Sequence, residues 1–528
     1  MGCTSINYFN NNYSFEKLLS IPIIFNQIFH FLDKDNIKPL SVCNKKIYKL
    51  YCNEVRKLQI NKRADILNLK IIFDKYENIN NLDLSKCKNI KDFTPISKLE
   101  RLEILDVSDT NIPDISFLEK NKNIKKLNMG GCRNIDDFIP LSKIERLESL
   151  NVSYTFISDI SLLEKNKYIK ELNLRLCYGV KDFMPISKIE RLEILDISYT
   201  NISDISFLGK NKNIKVLDLY YCKNINNFTP ISKNEKLEKL DARHTYISDM
   251  SFLEKNKNIK ELKLGSAEDF TPISKIRSLE ILSLDDRNIS DISFLENNKN
   301  IKELSLKNCE NIKDFTPISK IERLEILKVK FTNISEISFL EKNKNIKKLN
   351  LYHCKNITNF TPISKVERLE SLNASLTNIS DISFLEKNKN IKKLKLNQCK
   401  NIKEFKQLFK TDILEILNVG ATNISDISFL EKNKNIKELN LELCEKIKDF
   451  TPISKIQRLE YLNVSYTNIS DISFIENNKN IKSLDLEGCK KIKDFTPISK
   501  LEKLEYLDIG RTNISDISFL EKKKILEN

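Results

Sequence analysis

A cysteine recurs every 45 residues along most of this chain, at Cys87, Cys132, Cys177 and Cys222 and again at Cys309, Cys354, Cys399, Cys444 and Cys489, and its neighbours recur with it. A period of that length specifies an array of stacked supersecondary units, each touching only the units before and after it. No other feature of the chain narrows its fold so far.

Each period contains two shorter coils, of about 22 and 23 residues. One reads Ile124-x-x-Leu127-x-Met129-x-x-Cys132-x-x-Ile135, and the other Leu102-x-x-Leu105-x-Val107-x-x-Thr110-x-Ile112-x-x-Ile115-x-x-Leu118. This pattern resembles the leucine-rich repeat, with Cys or Thr in the position that Asn often holds. The first coil resembles the cysteine-containing class. The second, with its Asn-Ile-Ser-Asp-Ile-Ser-Phe-Leu run, resembles the short class whose outer segment is a single helical turn. The resemblance implies an α/β solenoid of about twenty coils over residues 79–528, with parallel strands on its concave face. Leu105 and Val107 are expected to point inward and Asp106 and Ser108 outward, while Ile112, Ile115 and Leu118 fold back to close each coil. The repeated Thr94-Pro95, Thr229-Pro230 and Thr271-Pro272 mark turns.

Strand spacing also decides the redox state of the cysteines. Ladder cysteines two coils apart are separated by about 9.6 Å at the usual roughly 4.8 Å per strand, beyond the roughly 7 Å limit for a disulfide. Residues 18–32 are apolar, but Pro22, Asn26, Gln27 and His30 interrupt them and no small-residue cleavage site follows. The expectation is a reduced, intracellular chain, cytoplasmic or nuclear, without a membrane span. Sequons such as Asn201-Ile202-Ser203 then belong to the repeat and are not glycan acceptors. Met1-Gly2-Cys3 is a poor acylation signal, because Ile6 stands where the myristoylation pattern requires Ser or Thr.

Residues 1–80 do not repeat. Between residues 21 and 51 apolar side chains follow helical spacing, with a polar break at Asp33 to Asn36, which predicts two or three short helices. The stretch resembles the F-box: Ile21-Pro22, then Ile28, Phe31 and Leu32 on a helix, the Asp33 to Asn36 break, then Leu40, Val42 and Cys43 running to Lys45. Two residues depart from that pattern, since Lys46 or Ile47 stands where a Trp is frequent and Asn36 where Leu is usual. An F-box ahead of leucine-rich repeats is the arrangement of the F-box and leucine-rich-repeat family.

That resemblance implies a helical F-box-like domain over residues 1–52, a connecting and capping segment over 53–78 with a helix and a first partial coil near Leu58 to Ile60, and the solenoid beyond. It further implies a substrate-receptor subunit of an SCF-type cullin-RING ubiquitin ligase. Ile21, Pro22, Ile28, Phe31, Leu32, Leu40, Val42 and Cys43 would dock a Skp-type adaptor, and through it the cullin, while the repeats hold a target protein. The rival reading is a repeat scaffold or effector with no ubiquitin link, whose helical N-terminus merely caps the first coil. The bias toward Ile, Asn and Lys is that of AT-rich genomes, such as those of amoebae and their large DNA viruses. A viral copy would redirect a host ligase.

The copies of the repeat can be aligned with one another, and the residue just before the Cys or Thr varies most. It is bulky over successive coils at Tyr154, Leu176, Tyr199, Tyr221 and His244, with Arg175, Tyr220 and Arg243 one position earlier. Placed at the strand end, these eight residues form the expected target-binding surface, because exposed Tyr and Arg side chains dominate protein interfaces. Phe331, Tyr352, His353 and Leu376 make a second, smaller cluster. One unit is three residues short at Gly265-Ser266-Ala267-Glu268-Asp269 and, with Asp285 and Asp286, forms an acidic spot. Residues 399–420 also depart, with Phe405-Lys406-Gln407-Leu408 in place of Phe-Thr-Pro-Ile.

The formal net charge of +15 raises nucleic acid as a ligand. The lysines, however, sit in the recurring Glu119-Lys-Asn-Lys-Asn-Ile-Lys125 turn, with Glu interleaved and away from the aromatics, which reads as a solvated rim. Catalysis finds no support: the three histidines, His30, His244 and His353, lie beside no nucleophile, and no glycine-rich phosphate loop is present. No cofactor or metal is implied, since the inward cysteines are too far apart to share an ion.

Overall fold

The computed structural model describes residues 56–60, 69–74, 76–284, 288–520 and 526–527. The chain divides into two units, Met1–Ile202 and Ser203–Asn528. In the first unit seven strands pair in chain order: β1 (Lys57–Gln59), β2 (Asn81–Asp83), β3 (Ile104–Asp106), β4 (Lys126–Asn128), β5 (Ser149–Asn151), β6 (Glu171–Asn173) and β7 (Ile194–Asp196). All are parallel, and the register sets leucine opposite leucine, Leu105 beside Leu127 and Leu127 beside Leu150. The second unit continues the same scheme from β8 (Val216–Asp218) to β22 (Leu526–Glu527).

The core follows the spacing of the apolar residues. Leu102, Leu105, Val107, Ile112, Ile115 and Leu118 are all at most 1% exposed, and the equivalent residues of the other coils are buried in the same way except in the last, where Ile517 is 54% exposed. Each coil presents its leucines to its neighbours because it cannot cover them itself.

The outer segments are 3-10 turns in both kinds of coil, Thr94–Lys98 in one and Ser116–Glu119 in the next. Among the described residues, α-helix is confined to Leu69–Phe73 in the connecting stretch, which buries Leu69 and Phe73. The α/β expectation is therefore corrected to strands and 3-10 turns, since a coil of 22 or 23 residues leaves only four or five for its outer side. The Thr-Pro dipeptides begin these turns. Asp92 Oδ1 accepts the Thr94 N–H at 2.9 Å and its hydroxyl at 2.6 Å, and Pro95 follows where no backbone donor is needed. In the alternate coils Asp114 does the same for Ser116, at 2.8 and 2.7 Å.

The turn expected to be a solvated rim is partly core. Asn121 is fully buried, and its Nδ2 donates to the Ile96 and Leu99 carbonyls of the preceding coil at 3.1 and 3.0 Å. Asn166, Asn298, Asn343, Asn388 and Asn478 make the same pair of bonds. Each of these carbonyls already accepts one backbone N–H of its own coil, that of Leu99 at Ile96 and that of Leu102 at Leu99, and the asparagine of the next coil fills the second acceptor site. Asn433 departs for a visible reason. Thr411 stands in the aberrant coil, its hydroxyl occupies the Leu408 carbonyl at 2.7 Å, and Asn433 donates to Phe429 O instead.

Removing one such side chain should be costly. Asn343→Ala removes two buried hydrogen bonds to the Ile318 and Ile321 carbonyls, which keep the N–H groups of Ile321 and Leu324, and is expected to lower the unfolding free energy by about 1–3 kcal/mol. Asn345→Ala removes an exposed bond to Glu322 O and should cost about 0.5 kcal/mol or less. Urea denaturation followed by circular dichroism separates the two.

Candidate protein-interaction surface

Where a strand ends in Asp or Asn, that side chain turns back on the backbone, whereas the strands ending at Lys328 and Lys395 reach the same reversal without it. Asp106 Oδ1 accepts the Ser108 N–H at 2.9 Å, and Asn151, Asn173 and Asp218 accept those of Ser153, Arg175 and Tyr220 at 2.9, 2.9 and 2.8 Å. These Asx turns stop the ladder after three residues. The chain then passes through one residue with positive φ, 60° at Tyr154 and Leu176, 55° at Tyr199, 63° at Tyr221 and 57° at His244.

Six of the eight predicted target-binding residues lie in the turn beyond the strand, and Arg243 and His244 lie within the longer strand Lys239–Ile247. The turn is held from both sides. The Tyr154 N–H donates to Arg175 O of the following coil at 2.8 Å, and the Leu176 N–H to Ser198 O at 3.0 Å. The next residue closes the turn onto the strand: the Cys132 N–H donates to Met129 O at 3.1 Å, while in the alternate coil the Thr110 hydroxyl donates to Val107 O at 2.7 Å. The Cys132 thiol donates to that same Val107 carbonyl at 3.0 Å, which gives the Cys and Thr alternation its reason.

A left-handed backbone excludes β-branched side chains and otherwise leaves identity open. None of the left-handed positions holds Val, Ile or Thr, in a chain rich in isoleucine. Gly131, with φ of 76°, is the residue best suited to it, and most coils hold something larger.

Four of the eight predicted residues belong to the first unit. Tyr154 is 45% exposed, and the Arg133 guanidinium lies 3.7 Å from its ring centroid. Arg175 lies 4.7 Å from the Tyr199 ring and donates to Ser198 Oγ at 3.3 Å, with Leu176 half-buried beside it. The other four belong to the second unit. There His244 meets Tyr220 edge-on at 5.1 Å and Tyr221 at 5.6 Å, and Arg243 lies 4.9 Å from the Tyr220 ring. Asp241 grips the Arg243 guanidinium at 2.6 Å, which holds its pKa above the ordinary value. The smaller cluster also assembles, with Phe331 5.2 Å from both Tyr352 and His353, and Leu376 in the same left-handed position. The residues expected to bind an adaptor, Ile21, Pro22, Ile28, Phe31, Leu32, Leu40, Val42 and Cys43, lie outside the described residues, as do His30, Asp285 and Asp286.

The shortened coil has changed its turn rather than its charge. Without the three missing residues, β9 (Lys239–Ile247) and β10 (Glu261–Ala267) continue as strands, pairing Leu264 with Ala242 and Ser266 with Tyr246 across a bulge that sets Arg243 to Thr245 against Gly265. Its acidic groups are engaged locally: Glu268 accepts the Tyr246 hydroxyl at 2.6 Å, and Asp269 accepts the Thr271 N–H and hydroxyl at 2.8 and 2.7 Å.

Many lysines of the recurring turn are ion-paired across coils. Lys125 reaches Glu103 at 3.1 Å and Lys170 reaches Glu148 at 2.8 Å, and in the second unit Lys260, Lys302, Lys347, Lys437 and Lys482 repeat the arrangement. The Lys170 ammonium holds the Glu148 pKa below its usual value. Exposed pairs of this kind contribute about 0–1 kcal/mol each, but they remove free positive charge from the surface.

Comparison with known proteins agrees with this geometry. Residues 190–233 and 457–500 match the leucine-rich-repeat model of two copies, and residues 62–181 and 278–403 the BspA-type leucine-rich-repeat region of six copies. The chain belongs to the leucine-rich-repeat proteins. No curated protein matches it. Among solved structures, the TLR13–ssRNA13 complex is similar in fold, with a TM-score of 0.54 and 16% identity over 88% of this chain and 81% of that one. An internalin, InlF, from Listeria monocytogenes shares 22% identity over 71% of this chain and 88% of its own, with a TM-score of 0.40. A Leptospira interrogans leucine-rich-repeat protein shares 18% over 81% and 94%, with a TM-score of 0.45.

Among the described residues no group of His, Cys, Asp or Glu could hold a metal ion, and no helix is long and apolar enough to cross a membrane. The nine described cysteines are free thiols and buried. Burial pushes the Cys177 thiol up to about 11 from 9.0 and raises those of Cys132, Cys354, Cys399, Cys444 and Cys489. A raised thiol pKa stabilises the fold below pH 9, and that contribution is lost as pH rises toward about 11, because the unfolded chain then releases protons the folded chain keeps. These thiols should therefore resist iodoacetamide at pH 8 until urea unfolds the chain, and thermal stability should fall between pH 9 and 11. Rapid labelling of the folded protein would contradict this.

Proposed function

We propose that this leucine-rich-repeat protein is a target receptor for a cullin-RING ubiquitin ligase, holding a protein partner on its repeats and a Skp-type adaptor on its N-terminal segment. The observation that supports partner binding is the set of aromatic and arginine side chains carried on left-handed turns, where neither the core nor the sheet requires them. The adaptor half rests on the order Ile21-Pro22, Ile28 to Leu32, Asp33 to Asn36 and Leu40 to Lys45 in the sequence. The chain performs no chemistry in this reading. It brings a target near the ubiquitin-loaded enzyme and raises its local concentration. The setting is intracellular, which suits an array of unpaired thiols.

A capture experiment with Skp-type adaptor and cullin tests it, comparing the intact chain with Pro22→Ala and Leu32→Ala combined. Capture by the intact chain and its loss in the variant, with the circular dichroism spectrum unchanged, is the expected result. No capture at micromolar concentration leaves a repeat scaffold without a ubiquitin link.

A further inference from the structure

Five positions between residues 139 and 184 exchange a polar or charged residue of the repeat for an exposed apolar or aromatic one. Asn111, Asn333, Asn378, Asn423 and Asn468 each donate Nδ2 to a carbonyl of the preceding coil at 2.7–3.0 Å. The residue at that place in its own coil is Phe156, which cannot make the bond and is 70% exposed. Tyr178, 55% exposed, stands where other Cys coils have Lys88, Lys223, Lys355 or Glu445. Ile139 and Met184 replace the Thr whose hydroxyl binds the capping Asp, while their N–H groups keep the bonds to Asp137 and Asp182. Tyr168 replaces an Asn that elsewhere bridges coils, as Asn123 does to Glu100 O.

Two of these residues fall in line with Arg133. The register of β4, β5 and β6 places Arg133, Phe156 and Tyr178 at the same step of the turn in three successive coils. The turns are close: a Cβ on Gly179, next to Tyr178, would come within 2.8 Å of Ile157 O. Arg133 lies over Tyr154 as described, so its guanidinium borders the aromatic ridge.

The charges point to the partner. Among the described residues neither Arg133 nor Arg175 pairs with a carboxylate, whereas Arg243 is held by Asp241, Arg511 by Glu487, and nearby Lys125 and Lys170 by Glu103 and Glu148. Two unneutralised guanidiniums flanking aromatic rings suit a carboxylate-bearing segment with apolar side chains. A nucleic acid would need a longer run of free cations.

We propose that the ridge of Arg133, Tyr154, Phe156 and Tyr178, with Arg175 beside it, is the docking site for an acidic protein segment bearing apolar side chains. This rests on the partner-binding half of the function proposed above and is independent of the adaptor half.

Short random peptides displayed on phage are selected on the intact chain. The enriched sequences are then labelled and measured by fluorescence anisotropy, with oligothymidine as a nucleic-acid probe. Two variants are compared, Phe156→Asn with Tyr178→Lys, and Arg133→Glu alone. The first restores residues that other coils use, so its melting temperature should not fall and lost binding is not lost folding. Enriched peptides should combine Asp or Glu with Leu, Phe or Tyr, and their Kd should rise by about tenfold or more in both variants. No enrichment, enrichment of basic or uncharged peptides, unchanged affinity in either variant, or tighter binding of oligothymidine would each overturn the proposal. Both variants keep residues 21–50, so adaptor capture can be read separately on the same proteins.

Discussion

Every regular coil of this protein must reverse direction just after a three-residue strand, and it does so through one residue in the left-handed conformation. Much else follows from that constraint. Most strands end in Asp or Asn, whose Asx turn starts the reversal, as at Asp106 and Asn151. The residue after the left-handed one must close the loop onto a buried carbonyl, and only a small side chain with a polar hydrogen fits. Hence the alternation of Thr110 with Cys132, both bonded to Val107 O. The left-handed residue itself is fixed in backbone and free in side chain, so the fold continually offers one exposed position per coil to whatever recognition requires.

The second constraint is mutual dependence. A coil of this length cannot fill both acceptor sites of its own 3-10 carbonyls or cover its own leucines, and the next coil does both. Two irregular coils show how local the rule is. Where Thr411 takes the carbonyl for itself, Asn433 finds another acceptor, and the neighbouring strands keep their register. Where three residues are missing near Gly265, the reversal is replaced by longer strands, and the parallel pairing survives across a bulge.

The period, the buried apolar positions and the isolation of the thiols were all legible in the sequence, because each depends on side-chain spacing along a regular backbone. The burial of Asn121 was not, because an asparagine between two lysines reads as solvent-facing unless the carbonyls of the previous coil are in view. Nor was the left-handed turn, although the absence of Val, Ile and Thr from one position of an isoleucine-rich repeat was a readable sign of it. In the candidate site, Tyr154, Arg175, Leu176 and Tyr199 could be found by comparing copies of two adjacent positions. Phe156 and Tyr178 were missed because they occupy other positions. The same comparison extended to those would have shown Asn giving way to Phe, and Lys to Tyr, in adjacent coils.

Position 443 offers the most direct test of the central claim that the turn residue is fixed in backbone and free in side chain. Leu443 is left-handed, with φ of 56°, and 41% exposed, far along the chain from the proposed ridge. The unfolding free energy of Leu443→Asn and Leu443→Ile should be measured against the parent chain. The account predicts that Asn is tolerated or slightly stabilising, whereas Ile, equal to Leu in size and apolarity, costs about 1–2 kcal/mol. Equal stability of the Ile variant and the parent would contradict it.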